Sequence, residues 1–179
     1  MTSRKKSTSE PSHNVPQGKM TSLGLYVTAK EAYEMWTRDP EKVKIIDCRT
    51  TEEFLFVGHP PMAWNIPVAL QVYEWDADKK HFPMKVNQDF VRQVKKSFKP
   101  SDTLLVTCRS GGRACLAINA LAKAGFKLVY NIIDGLEGDA ICDPESVFNG
   151  QRMRNGWKNS GLPWTYEIVP DQMVLPKTR

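Results

Sequence analysis

The sequence predicts an α/β domain with a central, mostly parallel sheet and helices on both faces. Two observations predict it. Three short runs of β-branched and aliphatic residues, 43–48, 103–107 and 128–133, have the nearly unbroken apolar character of strands buried on both sides. Segments with helical spacing alternate with these runs, and strands that alternate with helices pack most simply as a parallel sheet covered on both faces.

Residues 1–20 hold Ser, Lys and Pro without periodicity and read as a flexible N-terminal tail. Thr28-Ala29-Lys30-Glu31 has the capping-box pattern, in which a hydroxyl and a carboxylate three residues on satisfy orphan amides. A helix follows to about Trp36, with Ala32, Tyr33 and Trp36 on one face, and stops before Pro40. Val43 to Cys48 is a buried strand, residues 51–56 a short helical turn, and Gly58-His59-Pro60-Pro61 a break. Met62 to Pro67 reads as a further short strand. Gln71 to Lys85 is polar and aromatic-rich without a clear period, and is expected as an inserted loop. Asn87 is placed to cap a helix carrying Phe90, Val91, Val94 and Phe98, which Pro100 ends. Thr103 to Thr107 is a second buried strand, Arg113 to Ala124 a helix closed by Gly125, and Leu128 to Ile133 a third strand. Residues 134–164 are Gly- and Asn-rich and irregular, with room for one short helix. The domain is expected over 21–170, with a C-terminal tail at 171–179.

A chain of 179 residues with 41% apolar residues can bury one sizeable core without disulfide or metal staples. The net charge of +5 sits mostly in the ends: residues 1–20 carry +3 and residues 171–179 carry +1. The body is then nearly neutral, and no nucleic-acid partner is expected. No run of 18 apolar residues occurs and the N-terminus lacks the apolar centre of a signal peptide, so no membrane span is expected. A cytoplasmic location is the expectation, or a periplasmic one if a signal peptide has been removed. The four cysteines show neither CxxC spacing nor a His cluster, so no metal site is expected. Cys48 and Cys115 fall in apolar stretches and read as small core residues.

Cys108 has different neighbours. It follows a strand and precedes a helix, where ligands of open α/β sheets bind. The helix directs unpaired amides and the positive end of its dipole at the loop Cys108-Arg109-Ser110-Gly111-Gly112-Arg113. Gly111 and Gly112 let the backbone curl into an anion cradle, and Arg109 and Arg113 add positive charge. Each of these stabilises a thiolate and lowers the pKa of Cys108. A thiolate in an anion cradle suits two chemistries: attack on a sulfane sulfur to give a persulfide, or on a phosphate ester to give a cysteinyl phosphate.

The loop resembles the active-site loop of the rhodanese family. The resemblance extends to Asp47-Cys48-Arg49, Glu53-Phe54, Gly58-His59-Pro60 and Ala63-Trp64-Asn65-Ile66-Pro67, and downstream to Asn131–Leu136 and Gly156-Trp157…Gly161-Leu162-Pro163. It covers roughly residues 22–166, and departs from the family pattern at Pro61-Met62 and at Asp134-Gly135, where Gly-Gly is common. It implies a rhodanese-like three-layer sandwich. Sulfurtransferases of the family typically use a six-residue loop, and its phosphatases and arsenate reductases a seven-residue one. Cys108 to Arg113 is Cys-x4-Arg, which favours sulfur transfer. A Cys-dependent phosphatase or arsenate reductase and a non-catalytic rhodanese-like binding module are the alternatives.

What the resemblance implies is a two-step exchange. The Cys108 thiolate takes the outer sulfur of a small anionic donor such as thiosulfate, releasing sulfite. Loop amides then hold the persulfide until cyanide, a thiol or a protein acceptor removes the sulfur. Arg109 and Arg113 would bind the donor, Ser110 would donate a hydrogen bond to the persulfide, and no cofactor would be required. Asp47 and Arg49 read as a supporting salt bridge, and His59 as structural. Cys115 is placed on a core face two helical turns beyond Cys108. Tyr73, Trp75 and Phe82 read as anchors of their loop rather than as a lining of the pocket mouth.

Overall fold

The computed structural model describes residues 14–175. The strands are β1 (Tyr26–Val27), β2 (Val43–Asp47), β3 (Ala63–Asn65), β4 (Ala69–Gln71), β5 (Met84–Val86), β6 (Thr103–Thr107) and β7 (Val129–Ile132). The α-helices are α1 (Ala29–Arg38), α2 (Thr51–Val57), α3 (Phe90–Ser97) and α4 (Gly112–Lys123). Five strands form one sheet in the order β1-β7-β6-β2-β3. Every pairing in that sheet is parallel.

Side chains alternate across the sheet, as the period of two in a strand requires. Ile46, Leu104 and Val106 point to a layer containing Phe90 and Val94 of α3 and Ala114, Ala117, Ile118 and Leu121 of α4. Val43, Ile45 and Leu105 point to the opposite layer, with Ala29 and Ala32 of α1, Phe54 of α2, and Trp157. The result is three layers: helices, sheet, helices. Trp157 is fully buried, and its indole N–H finds the Pro163 carbonyl at 2.9 Å, the partner a buried indole needs.

Local chemistry sets the boundaries. Thr28 and Glu31 make the predicted capping box at α1, and Thr50 and Glu53 make a second at α2. Gly125 adopts φ 96° after α4, in the left-handed region where glycine ends helices without strain. Among the described residues no helix is long and apolar enough to cross a membrane.

Four expectations need correction. Residues 71–85 are not a plain loop: β4 and β5 pair antiparallel, and Asp76 bridges His81 further out. All three residues of β5 are exposed and only Ala69 of β4 is buried, so the hairpin has too little buried surface to impose an alternating pattern. Asn87 does not cap α3 directly; its Oδ1 accepts from the Asp89 amide at 3.1 Å in the preceding turn. The expected N-terminal tail extends outside the described residues, but its end is docked. Gln17–Lys19 form a 3-10 turn, the Lys19 carbonyl accepts from Asn131 at 2.9 Å, and Lys19 Nζ pairs with Asp139 at 2.9 Å. The expected C-terminal tail is also partly ordered: Met173 bridges Asn65 in parallel, and the Val174 amide donates to the Asn65 carbonyl at 3.0 Å. Residues 176–179 lie outside the described region.

At the carboxyl end of β2, Asp47 and Arg49 form a fully buried ion pair, with Arg49 Nη2 2.7 Å from Asp47 Oδ2. The same Nη2 donates to the Gly58 carbonyl at 2.7 Å, tying the end of α2 to the strand. Removing one partner of a buried pair leaves the other charge uncompensated, which costs roughly 3–5 kcal/mol. Arg49→Ala is therefore expected to lower unfolding free energy by about that amount, read from urea denaturation followed by circular dichroism.

Candidate active site

β2 and β6 run in register, with Ile46 opposite Val106 and Asp47 opposite Thr107. Both strands end at the same level, and Cys108 is the first residue beyond β6. The chain then turns through residues 109–111 into α4. Gly111 makes this turn with φ 89°, and a Cβ there would collide with the Ile133 carbonyl. Gly135, at φ 64°, faces the loop from the other side; a Cβ would lie 2.6 Å from the Ser110 amide nitrogen. The Leu136 and Glu137 amides donate to the carbonyls of Cys108 and Arg109, each at 2.9 Å. The loop is thus clamped by backbone on both flanks.

The Cys108 side chain is 1% exposed. Its pKa is pulled down to about 6, first by a hydrogen bond from the Cys48 thiol, against the opposing effect of burial. The amides of Ala114 and Ser110 and the charge of Arg113 add to the pull. Cys48 moves the other way: burial and the neighbouring Cys108 push its thiol well up. The two shifts run in opposite directions: the site favours negative charge on Cys108 and the proton on Cys48. The Ser110 contact is made by its backbone N–H. Cys48 reads in the sequence as a small core residue. It is fully buried and packs in the core as expected, but its thiol also touches the sulfur of Cys108.

The two loop arginines differ. Arg113 makes a bidentate pair with Glu53, both contacts at 2.6 Å. Burial pushes the Glu53 carboxyl up, but Arg113 outweighs it and holds the pKa below the ordinary value. Glu53 is also the capping residue of α2, accepting from the Thr50 amide at 3.2 Å, so it joins the starts of α2 and α4. Arg109 is exposed and has no side-chain partner among the described residues. It is the loop cation open to an incoming anion.

Other candidates fall outside the immediate site. His59 is buried, stacks on Phe54 with ring centroids 3.6 Å apart, and places Nδ1 3.1 Å from the Pro60 carbonyl. Burial lowers its pKa, which favours the neutral ring. Cys115 donates to the Gly18 carbonyl at 3.4 Å, and Cys142 is exposed. Tyr73 hydrogen-bonds Glu52, while Trp75 and Phe82 pack edge to face on the hairpin. Met84 of β5 brings its sulfur to 3.6 Å from Arg113 Nη1, so the hairpin borders the loop.

Asp134 and Glu53 were visible in the sequence without a role. The Asp134 carboxylate accepts from the amides of Ala29 at 2.8 Å and Gly156 at 3.2 Å, fixing the turn that carries Gly135. Asp in place of the familiar glycine therefore supplies two hydrogen bonds.

Fold and site together define a parallel α/β domain that presents a buried thiolate in a cradle of amides at the carboxyl edge of its sheet. The family model of the Rhodanese-like domain matches residues 28–140, and the chain belongs to that family. An uncharacterized protein of Rickettsia conorii is 26% identical over 140 residues, covering 78% of this chain and 96% of its own length. Thiosulfate sulfurtransferase 16, chloroplastic, of Arabidopsis thaliana is 37% identical over 92 residues, 51% of this chain and 69% of that protein. The crystal structure of Rv0390 from M. tuberculosis superposes with a TM-score of 0.61 at 27% identity, covering 79% of this chain and 96% of the other.

A thiolate with its pKa at about 6 is present through neutral pH and lost as pH falls below that value. The ultraviolet absorbance of the thiolate, taken as wild type minus Cys108→Ser, is expected to titrate with a midpoint near there. In Cys48→Ala the midpoint moves up, because the largest stabilising contact is gone.

Proposed function

We propose that this protein is a sulfurtransferase that moves a sulfane sulfur from a donor such as thiosulfate to cyanide or a thiol acceptor through a persulfide on Cys108. The observation that carries the reading is a thiolate at Cys108, held by the amide of Ser110 within its six-residue loop and by that of Ala114 just after it. Arg109 meets the anionic donor at the entrance. The Cys108 thiolate attacks its outer sulfur, the sulfur–sulfur bond of thiosulfate breaks, and sulfite leaves with the electron pair. The amides that held the thiolate then hold the persulfide. Arg113, engaged by Glu53, contributes its field and fixes the loop.

The name of the Arabidopsis relative supports the donor class. The loop has no room in its count for the longer ring that phosphoryl chemistry uses within the family. Asp47 and Arg49 act as supporting residues, holding the turn after β2 against the loop.

Mass spectrometry after thiosulfate treatment tests the reading. A gain of one sulfur atom, held on the protein or recovered as sulfide, that is absent in Cys108→Ser is expected; a chain that yields neither under several sulfane donors refutes it. Hydrolysis of a small aryl phosphate above the Cys108→Ser background would favour phosphatase chemistry instead. Arg109→Ala is expected to raise KM for thiosulfate by about tenfold to a hundredfold, because a hydrogen bond to a charged group contributes roughly 1.5–3 kcal/mol. Its effect on kcat should be smaller, as measured by steady-state kinetics.

A further inference from the structure

Cys48 occupies a defined place in the sheet. The last rung between β2 and β6 is the Cys48 amide donating to the Thr107 carbonyl at 2.9 Å. In a parallel ladder this sets Cys48 opposite Cys108, one step beyond the Asp47–Thr107 pair. By alternation both side chains leave the sheet on the face that carries Ile46 and Val106, and both thiols lie in that core layer. Neighbouring strands are roughly 4.8 Å apart, inside the Cα separation of about 4.4–6.8 Å that a disulfide spans. Exposures of 0% and 1% leave the two sulfurs facing each other with little water between. Both are free thiols.

We propose that Cys48 is a resolving thiol, which attacks the Cys108 persulfide and releases its outer sulfur as hydrosulfide. The step rests on the sulfur-loading reading above. The Cys48 sulfur gives an electron pair to the inner sulfur, Sγ of Cys108, forming the Cys48–Cys108 disulfide. The bond between the inner and outer sulfurs breaks, and its electron pair leaves on the outer sulfur. The proton of the Cys48 thiol passes to that departing sulfur, which leaves as HS⁻. Charge and atoms balance, and the sulfane sulfur is itself the oxidant: it is reduced to sulfide while the two cysteine sulfurs are oxidised to a disulfide. An external dithiol then reduces the pair by thiol–disulfide exchange.

The proton and charge distribution of the resting pair suits this step. Cys48 retains its proton beside an anionic Cys108, so it stays unreactive until a persulfide offers both an electrophilic inner sulfur and a basic outer one. An acceptor that arrives quickly takes the sulfur by transfer. Without one, Cys48 ends the persulfide. Cys48 thereby sets the lifetime of the loaded state and adds a sulfide-releasing activity to the domain.

The test is a single loading of the full chain with thiosulfate under anaerobic conditions, without added thiols, followed by gel filtration. Free sulfide is trapped and quantified, and the protein is mapped by non-reducing peptide mass spectrometry. The expected result is one sulfide per loaded Cys108 and a Cys48–Cys108 cross-linked peptide, reversed by dithiothreitol. With oxygen absent, the cross-link requires the sulfane sulfur as oxidant. Cys48→Ala and Cys48→Ser, loaded at a pH high enough to offset the raised Cys108 pKa, should keep the extra sulfur on Cys108 and lose sulfide release. A wild-type chain that keeps its extra sulfur, without cross-link or sulfide, overturns the proposal and leaves sulfur loading intact. Sulfide release at the wild-type rate in both Cys48 variants overturns it too. A wild type that shows no added sulfur, no sulfide and no cross-link refutes sulfur loading, and the resolving step with it. The wild-type arm decides the proposal by itself if both variants fail to fold.

Discussion

A negative charge on a sulfur sealed from bulk water is costly, and the site exists only because donors surround it. The amides of Ser110 and Ala114 and the thiol of Cys48 all donate to Cys108. Each depends on another part of the chain. The Ser110 amide is in place because Gly135 lets the following turn approach it without a Cβ. The Ala114 amide is in place because Gly111 turns the chain sharply into α4. Cys48 is in place because β2 and β6 are in register. The burial that makes the thiolate expensive also makes these contacts strong, since no water competes for them. Fold and site therefore cannot be separated at the carboxyl edge of the sheet.

Around that centre a ring of charges keeps its own order. Glu53 takes up Arg113 completely, and Asp47 takes up Arg49, with Glu137 3.9 Å from its remaining nitrogen. Two of the three arginines near the loop thus have a fixed carboxylate partner and serve as struts between elements. Arg109 alone has none among the described residues, and the division leaves it as the exposed cation of the loop. The hairpin bearing Tyr73 and Met84 rests on the same strut system, through Glu52 and Arg113, although it contributes nothing to the buried sheet.

Much of the fold was legible because local signals and tertiary packing agree. Val43–Asp47 and Thr103–Thr107 are apolar runs buried on both faces, and both lie where the sequence places them. The α1 capping box and the Gly125 stop are short-range chemistry that needs no tertiary context. β1 escaped because two residues, Tyr26 and Val27, carry no period; only the edge of β7 makes them a strand. The β4–β5 hairpin escaped because β5 is wholly exposed and β4 buries only Ala69, so neither shows the alternation that marks a half-buried strand. Within the site, the loop was readable as a local motif. The contact of Cys48 was not, because it depends on the register between strands sixty residues apart, and a thiol in an apolar run has the same appearance whether or not another thiol faces it. Glu53 was visible only as part of a Glu-Phe pattern; its pairing with Arg113 spans the same kind of sequence distance.

The docked C-terminal segment has a consequence of its own. The Val174 amide reaches the carbonyl of Asn65, whose side chain donates to the carbonyls of Asp47 and Arg49, the residues flanking Cys48. Residues near the end of the described chain are thereby tethered to the backbone on either side of the second thiol. The last described residues thus join, through backbone and the Asn65 amide, the turn that carries Cys48.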